Sequence, residues 1–104
     1  MESGVDGKIV RRVEVLNEAG LHARPAAVLA EHAKAFESEI ALVLARVPAD
    51  LGVEIGTRVD AKSVMDVLFL AAPQGTEIDI EASGADAEAA VNDLEALFGD
   101  RFGI

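Results

Sequence analysis

The run Glu77–Phe98, EIDIEASGADAEAAVNDLEALF, holds two hydrophobic periods back to back. Ile78, Ile80 and Ala82 alternate with Glu77, Asp79 and Glu81, the two-residue period of a strand with one apolar and one charged face. After Ser83, Gly84 and Ala85, Asp86 is placed to cap a helix. The stripe of that helix is Ala87, Ala90, Val91, Leu94 and Phe98, with Gly99 near its end. A strand charged on one face belongs to a sheet covered on one side only. A helix with a single apolar stripe supplies such a cover.

The same two periods recur towards the N-terminus. Val13 and Val15 bracket Glu14, and Ile40, Leu42 and Leu44 form a second apolar face. Val53, Ile55, Thr57 and Val59 alternate with Glu54, Gly56, Arg58 and Asp60 and predict a further strand. Ala26, Leu29, Ala30, Ala33 and Phe36 carry helical spacing, and Ser63–Ala72 reads as a short helix. The order is βαββαβα. It predicts an α+β open-faced β-sandwich: a four-stranded antiparallel sheet with three helices on one face. Arg46 to Gly52 is too long for a tight hairpin and predicts a loop. Residues 1–8 are expected to form a flexible arm and residues 9–104 the domain.

A length of 104 residues fits one domain. With four Phe and no Tyr or Trp, the core must come from Val, Ile, Leu and Ala. Nineteen acids against nine bases give a net charge of −10, which excludes general nucleic-acid binding and attraction to an anionic membrane. From Ser63 onward there are nine acids and one base, Arg101, so an anion site is expected in the first 62 residues. The absence of Cys excludes disulfides, thiolate metal sites and cysteine nucleophiles. His22 and His32 lack a third ligand at useful spacing, so neither metal nor cofactor is expected. His32 faces away from the apolar stripe and reads as a solvated helix residue, and Glu77, Asp79 and Glu81 read as a solvated strand face. No apolar run approaches 18 residues, and a soluble, monomeric cytoplasmic domain is expected.

Chemistry concentrates in Gly20–Ala27, GLHARPAA. Pro25 fits only in a helix's first turn, which puts His22 at or just before the helix N-terminus. Backbone N–H groups there have no intrahelical partners, and Arg24 adds a cation. Beside them a ring nitrogen of His22 is placed to act as a nucleophile. Both would also hold a phosphoryl group formed on His22. Spacing alone leaves a second reading open, in which His22 is a polar capping residue without chemistry. In Ser63–Ala72, eight of ten residues are apolar, more than one stripe can bury. Some of Val64, Met65 and Leu68 should face outward as a binding surface, the other reading being a helix wedged among its neighbours.

The run GLHARPAA closely resembles the active-site signature of the HPr family, the histidine-containing phosphocarriers of the bacterial phosphoenolpyruvate-dependent sugar phosphotransferase system. Val59–Met65, VDAKSVM, resembles that family's regulatory-serine segment. Gln74–Glu77 and Ser83–Asp86 resemble its fourth strand and the entry to its last helix. The likeness runs in order from about Ile9 to Phe98. It implies that His22 is phosphorylated through Nδ1 and that Arg24 steadies the phosphoryl group. It implies enzyme I as donor and an enzyme IIA domain of a sugar permease as acceptor. Ala23, Ala27, Val64, Met65 and Leu68 match the family's partner-docking patch, and Ser63 the serine that HPr kinase/phosphorylase modifies in many bacteria. Such a protein is a stoichiometric carrier and not an enzyme. Asp66 stands where a Gly is common and Glu31 where a Lys is frequent; the Arg46–Gly52 loop and the N-terminal arm are extra. Those departures bear on which partners dock. The alternatives are a carrier of the nitrogen-related branch, or a regulatory module that docks without relaying phosphate.

Overall fold

The computed structural model describes residues 8–48 and 53–104. The chain forms β1 (Lys8–Glu14), α1 (Ala23–Lys34), β2 (Glu39–Arg46), β3 (Arg58–Asp60), α2 (Val64–Phe69), β4 (Glu77–Ser83) and α3 (Ala87–Gly99). A final 3-10 turn spans Arg101–Gly103. The strands lie in the order β1-β4-β2-β3 and all pair antiparallel. This is the expected open-faced α+β sandwich. Of the expected arm, Lys8 opens β1; the rest lies outside the described residues.

Register follows from the alternation. On β4, Ile78 stands between Val13 and Leu44, and Ile80 faces Leu42, so the apolar rows of three strands share one face. Over that face Leu29 and Ala33 of α1 and Val91, Leu94 and Phe98 of α3 are fully or almost fully buried. Deleting one such Leu or Ile side chain costs about 2–5 kcal/mol, so the interlock fixes both the register and the helix positions. Phe98 meets Phe102 edge-on, with ring centroids 4.9 Å apart, and so ties the last turn to the core.

The opposite face is open but not merely solvated. Its acidic row forms a ladder of ion pairs: Arg12 with Asp79 (2.6 Å) and Glu77 (3.3 Å), Arg46 with Glu77 (3.0 Å), Lys8 with Glu81 (3.2 Å), and Arg58 with Glu81. The row lies inside the sheet, so cations on the flanking β1 and β2, and Arg58 from β3 beyond, reach it.

Three further expectations are corrected. The strand predicted over 53–60 shrinks to Arg58–Asp60. Gly56 adopts φ 93 in a turn whose N–H donates to the Leu44 carbonyl (2.7 Å), while Thr57 Oγ1 and N both donate to the Glu54 carbonyl. The alternation of Val53, Ile55 and Thr57 thus belongs to a loop, and Ile55 is exposed. Asp86 precedes α3 but makes no side-chain cap. Its carboxylate instead accepts the N–H groups of Glu37 and Ser38 (both 2.9 Å) and the Ser38 hydroxyl, fastening α3 to the start of β2. His32 also has a partner, since Nδ1 lies 2.9 Å from Asp93 Oδ2 and bridges α1 to α3.

Candidate functional site

Gly20 decides where the site begins. At φ 73 it turns the chain hard against the segment that follows α2, and the next N–H, of Leu21, donates to the Ala72 carbonyl (2.8 Å). Leu21 is buried, and α1 starts immediately afterwards. His22 is the N-cap, in extended geometry at φ −79 and ψ −169. Its carbonyl accepts the Ala26 N–H (3.0 Å), while its ring makes no capping bond and is exposed. Pro25 in the first turn has no N–H to satisfy. Among the described residues the N–H groups of Ala23 and Arg24 have no backbone partner. No acid lies in that turn, and the exposed guanidinium of Arg24 has no side-chain partner among the described residues.

The sequence thus places a bare imidazole, two unpartnered N–H donors and a cation at the positive end of a twelve-residue helix. Such an arrangement is chemically able to receive a dianion. His22 also lines a shallow depression with Leu16, Asn17, Glu18, Ala19, Gln74, Arg101 and Ile104. Asn17 is no candidate in the sequence, and Arg101 stands out there only as the one base after Lys62, outside the stretch expected to hold an anion. They lie far from each other in the chain and carry no local motif; only the fold brings them together.

Beside the site stands α2, which packs against α1. Ser63 is its N-cap, and Ser63 Oγ accepts the Asp66 N–H (3.2 Å). Met65 is 76% exposed and Val64 and Leu68 half-buried, so the outward-facing reading of this helix holds against the wedged one. Ala23 and Ala27 are exposed on α1. Phe69, which the sequence reading left out, is 66% exposed and extends the apolar surface. A run apolar on all sides gives no phase from which to pick the outward residues. Asp66 is half-buried, and its carboxylate accepts the Asp60 N–H (3.3 Å) while its own N–H meets Ser63. Its carboxylate thus ties the start of α2 to the end of β3, while the Ser63 N–H donates to the Asp60 carbonyl (3.1 Å).

The family model for the "PTS HPr component phosphorylation site" matches residues 9–100. The chain belongs to the HPr family. Treponema pallidum HPr is 40% identical over 94 residues, covering 90% of this chain and 96% of that protein. The phosphocarrier protein NPr of Escherichia coli K12 is 34% identical over 94 residues, covering 90% and 94%. The crystal structure of HPr from Thermoanaerobacter tengcongensis superposes with a TM-score of 0.78 at 32% identity, covering 92% of this chain and 97% of that one. Membership of the HPr family makes the protein a phosphocarrier of the phosphotransferase system, and a carrier rather than a conventional enzyme. Among the described residues no helix is long and apolar enough to cross a membrane.

Proposed function

We propose that His22 is the residue that carries the phosphoryl group, accepting it from phospho-enzyme I and giving it to an enzyme IIA domain in the cytoplasm. The observation that carries this reading is the exposed, uncapped His22 ring at the start of α1, beside the unpartnered N–H groups of Ala23 and Arg24. With the proton on Nε2, the Nδ1 lone pair attacks the phosphorus of the donor's phosphohistidine. The new N–P bond forms as the donor's N–P bond breaks, and that electron pair returns to the donor imidazole. Arg24 and the helix N–H groups balance the charge that arrives. Transfer to the acceptor is the same step in reverse roles. The helix terminus contributes about 0.3–1 kcal/mol in exposed settings. Holding on that scale suits a relay, because each further ~1.4 kcal/mol would shift the transfer equilibrium tenfold against release.

Docking falls to Ala23, Ala27, Val64, Met65 and Leu68, with Phe69 beside them. Ser63, at the edge of this surface, is the regulatory position, and an HPr kinase/phosphorylase is the enzyme that would modify it. The Lys62-Ser63-Val64-Met65 context favours the sugar branch over the nitrogen-related one. Intact His22, Arg24 and Pro25 argue against a module that only docks.

His22→Ala tests the assignment. The variant should accept no phosphoryl group from enzyme I and phosphoenolpyruvate, with stability changed by less than about 0.5 kcal/mol because the ring is exposed. Full labelling of the folded variant would overturn it.

A further inference from the structure

Two of the six arginines keep their guanidinium groups away from carboxylates, and both stand at the His22 corner. Arg11 pairs with Glu95, Arg12 with Asp79 and Glu77, Arg46 with Glu77, and Arg58 with Glu81. Among the described residues the side chains of Arg24 and Arg101 meet no partner. Arg101 is also the one base after Lys62, so the acidic half of the chain sends its single cation to this site.

The backbone is arranged to keep it there. Arg101 and Phe102 lie at φ 54 and 59, a left-handed conformation costly for residues with a Cβ. Two contacts hold them. Phe102 is buried edge-on against Phe98, and Asn17 Nδ2 donates to the Arg101 carbonyl at 2.9 Å. Asn17 is only 6% exposed, and its Oδ1 has no partner. Asn17, Arg101 and His22 line the same depression, so the anchor, the cation and the imidazole border one space. Glu18 is the acidic side chain in that lining, and the chain end at Ile104 borders it too. Substituting the Arg101 side chain leaves the anchored carbonyl in place.

We propose that Arg101 is a second phosphoryl-binding cation of this carrier, held in position by Asn17 and acting beside Arg24 on the phosphorylated His22. The inference rests on the reading of His22 as the carrier residue. Arg101 forms and breaks no covalent bond; it raises the share of phosphoryl group that the protein retains at equilibrium.

Phosphoryl exchange between two versions of the protein reads that share directly. Phosphorylated wild-type protein is mixed with Arg101→Gln, or the reverse, and trace enzyme I equilibrates them. The partition should favour wild type by about two- to fivefold, the range of one exposed charge pair. Arg101→Lys should bring it back towards even, and Arg58→Gln, altered on the open sheet face, should stay even. An even partition for Arg101→Gln overturns the role of Arg101 and leaves the carrier reading standing. If wild type accepts no phosphoryl group from phospho-enzyme I or from phosphoramidate, which needs no protein donor, the carrier reading falls and this inference with it.

Discussion

At residue scale the site depends on backbone as much as on the imidazole. A Cβ added to Gly20 would lie 2.3 Å from the Ala72 carbonyl oxygen and 2.9 Å from Pro73 Cα, both backbone atoms that cannot step aside cheaply. With φ at 73, glycine is required twice over, by space and by conformation. Gly20→Ala should therefore cost about 2 kcal/mol or more, the sum of a left-handed alanine and a displaced loop. It should also slow phosphoryl acceptance by moving His22 off its N-cap position. Thermal unfolding and initial rates of labelling check the two effects, and a variant that matches wild type in both would remove Gly20 from the account. The motif residues Gly20, His22, Arg24 and Pro25 are legible in the sequence because each acts on its near neighbours. Arg101 and Asn17 are not, since their link is an 84-residue contact made only by the folded chain.

At the scale of elements, the docking role proposed for α2 rests on how this helix is held. The six-residue helix is too short to persist on propensity alone, so its start is fixed by the Ser63–Asp66 cap and its underside by fully buried Val67. That leaves Met65 and Phe69 facing water, a surface costly to expose without a partner. A charge at Ser63 lies at the rim of this surface. Ser63→Asp should weaken enzyme I binding several-fold by titration while leaving the helix formed, because an acid at an N-cap is compatible with helix start. Unchanged affinity would take Ser63 out of regulation. Strand and helix periods announce β1, β2, β4, α1 and α3 in the sequence, each having one buried face. The failure at 53–57 has a physical cause: alternation without a neighbouring strand is only a pattern, and Gly56 turns the chain before pairing can extend.

At the scale of the whole molecule, charge is organised by layer. The open face neutralises its acids in the Arg12–Asp79 and Glu81–Arg58 ladder, and Asp86 ties α3 to β2. Burial would raise the Glu81 carboxyl, but hydrogen bonds from Arg58 and Lys8 outweigh it, so it lies below its ordinary 4.5. The Ser38 hydroxyl and the Glu37 and Ser38 N–H groups hold Asp86 below 3.8. Both groups bind protons more readily in the unfolded chain. The stability they confer is fully present above the ordinary values and is lost as pH falls through the lowered folded values. The melting temperature should therefore drop below about pH 4. Asp86→Asn should melt lower at neutral pH and show a shallower acid decline, since it has no carboxylate to protonate there. An acid profile identical to wild type would show that the Asp86 linkage contributes nothing.

These scales meet at one exposed ring whose surroundings the whole fold prepares. The most direct measurement is intact mass after incubation with cognate enzyme I, magnesium and phosphoenolpyruvate, before and after brief acid treatment. The account predicts the gain of one phosphoryl group, lost in acid and mapped by fragmentation to His22. No gain with a demonstrably active enzyme I, or an acid-stable phosphoryl group on another residue, would contradict it.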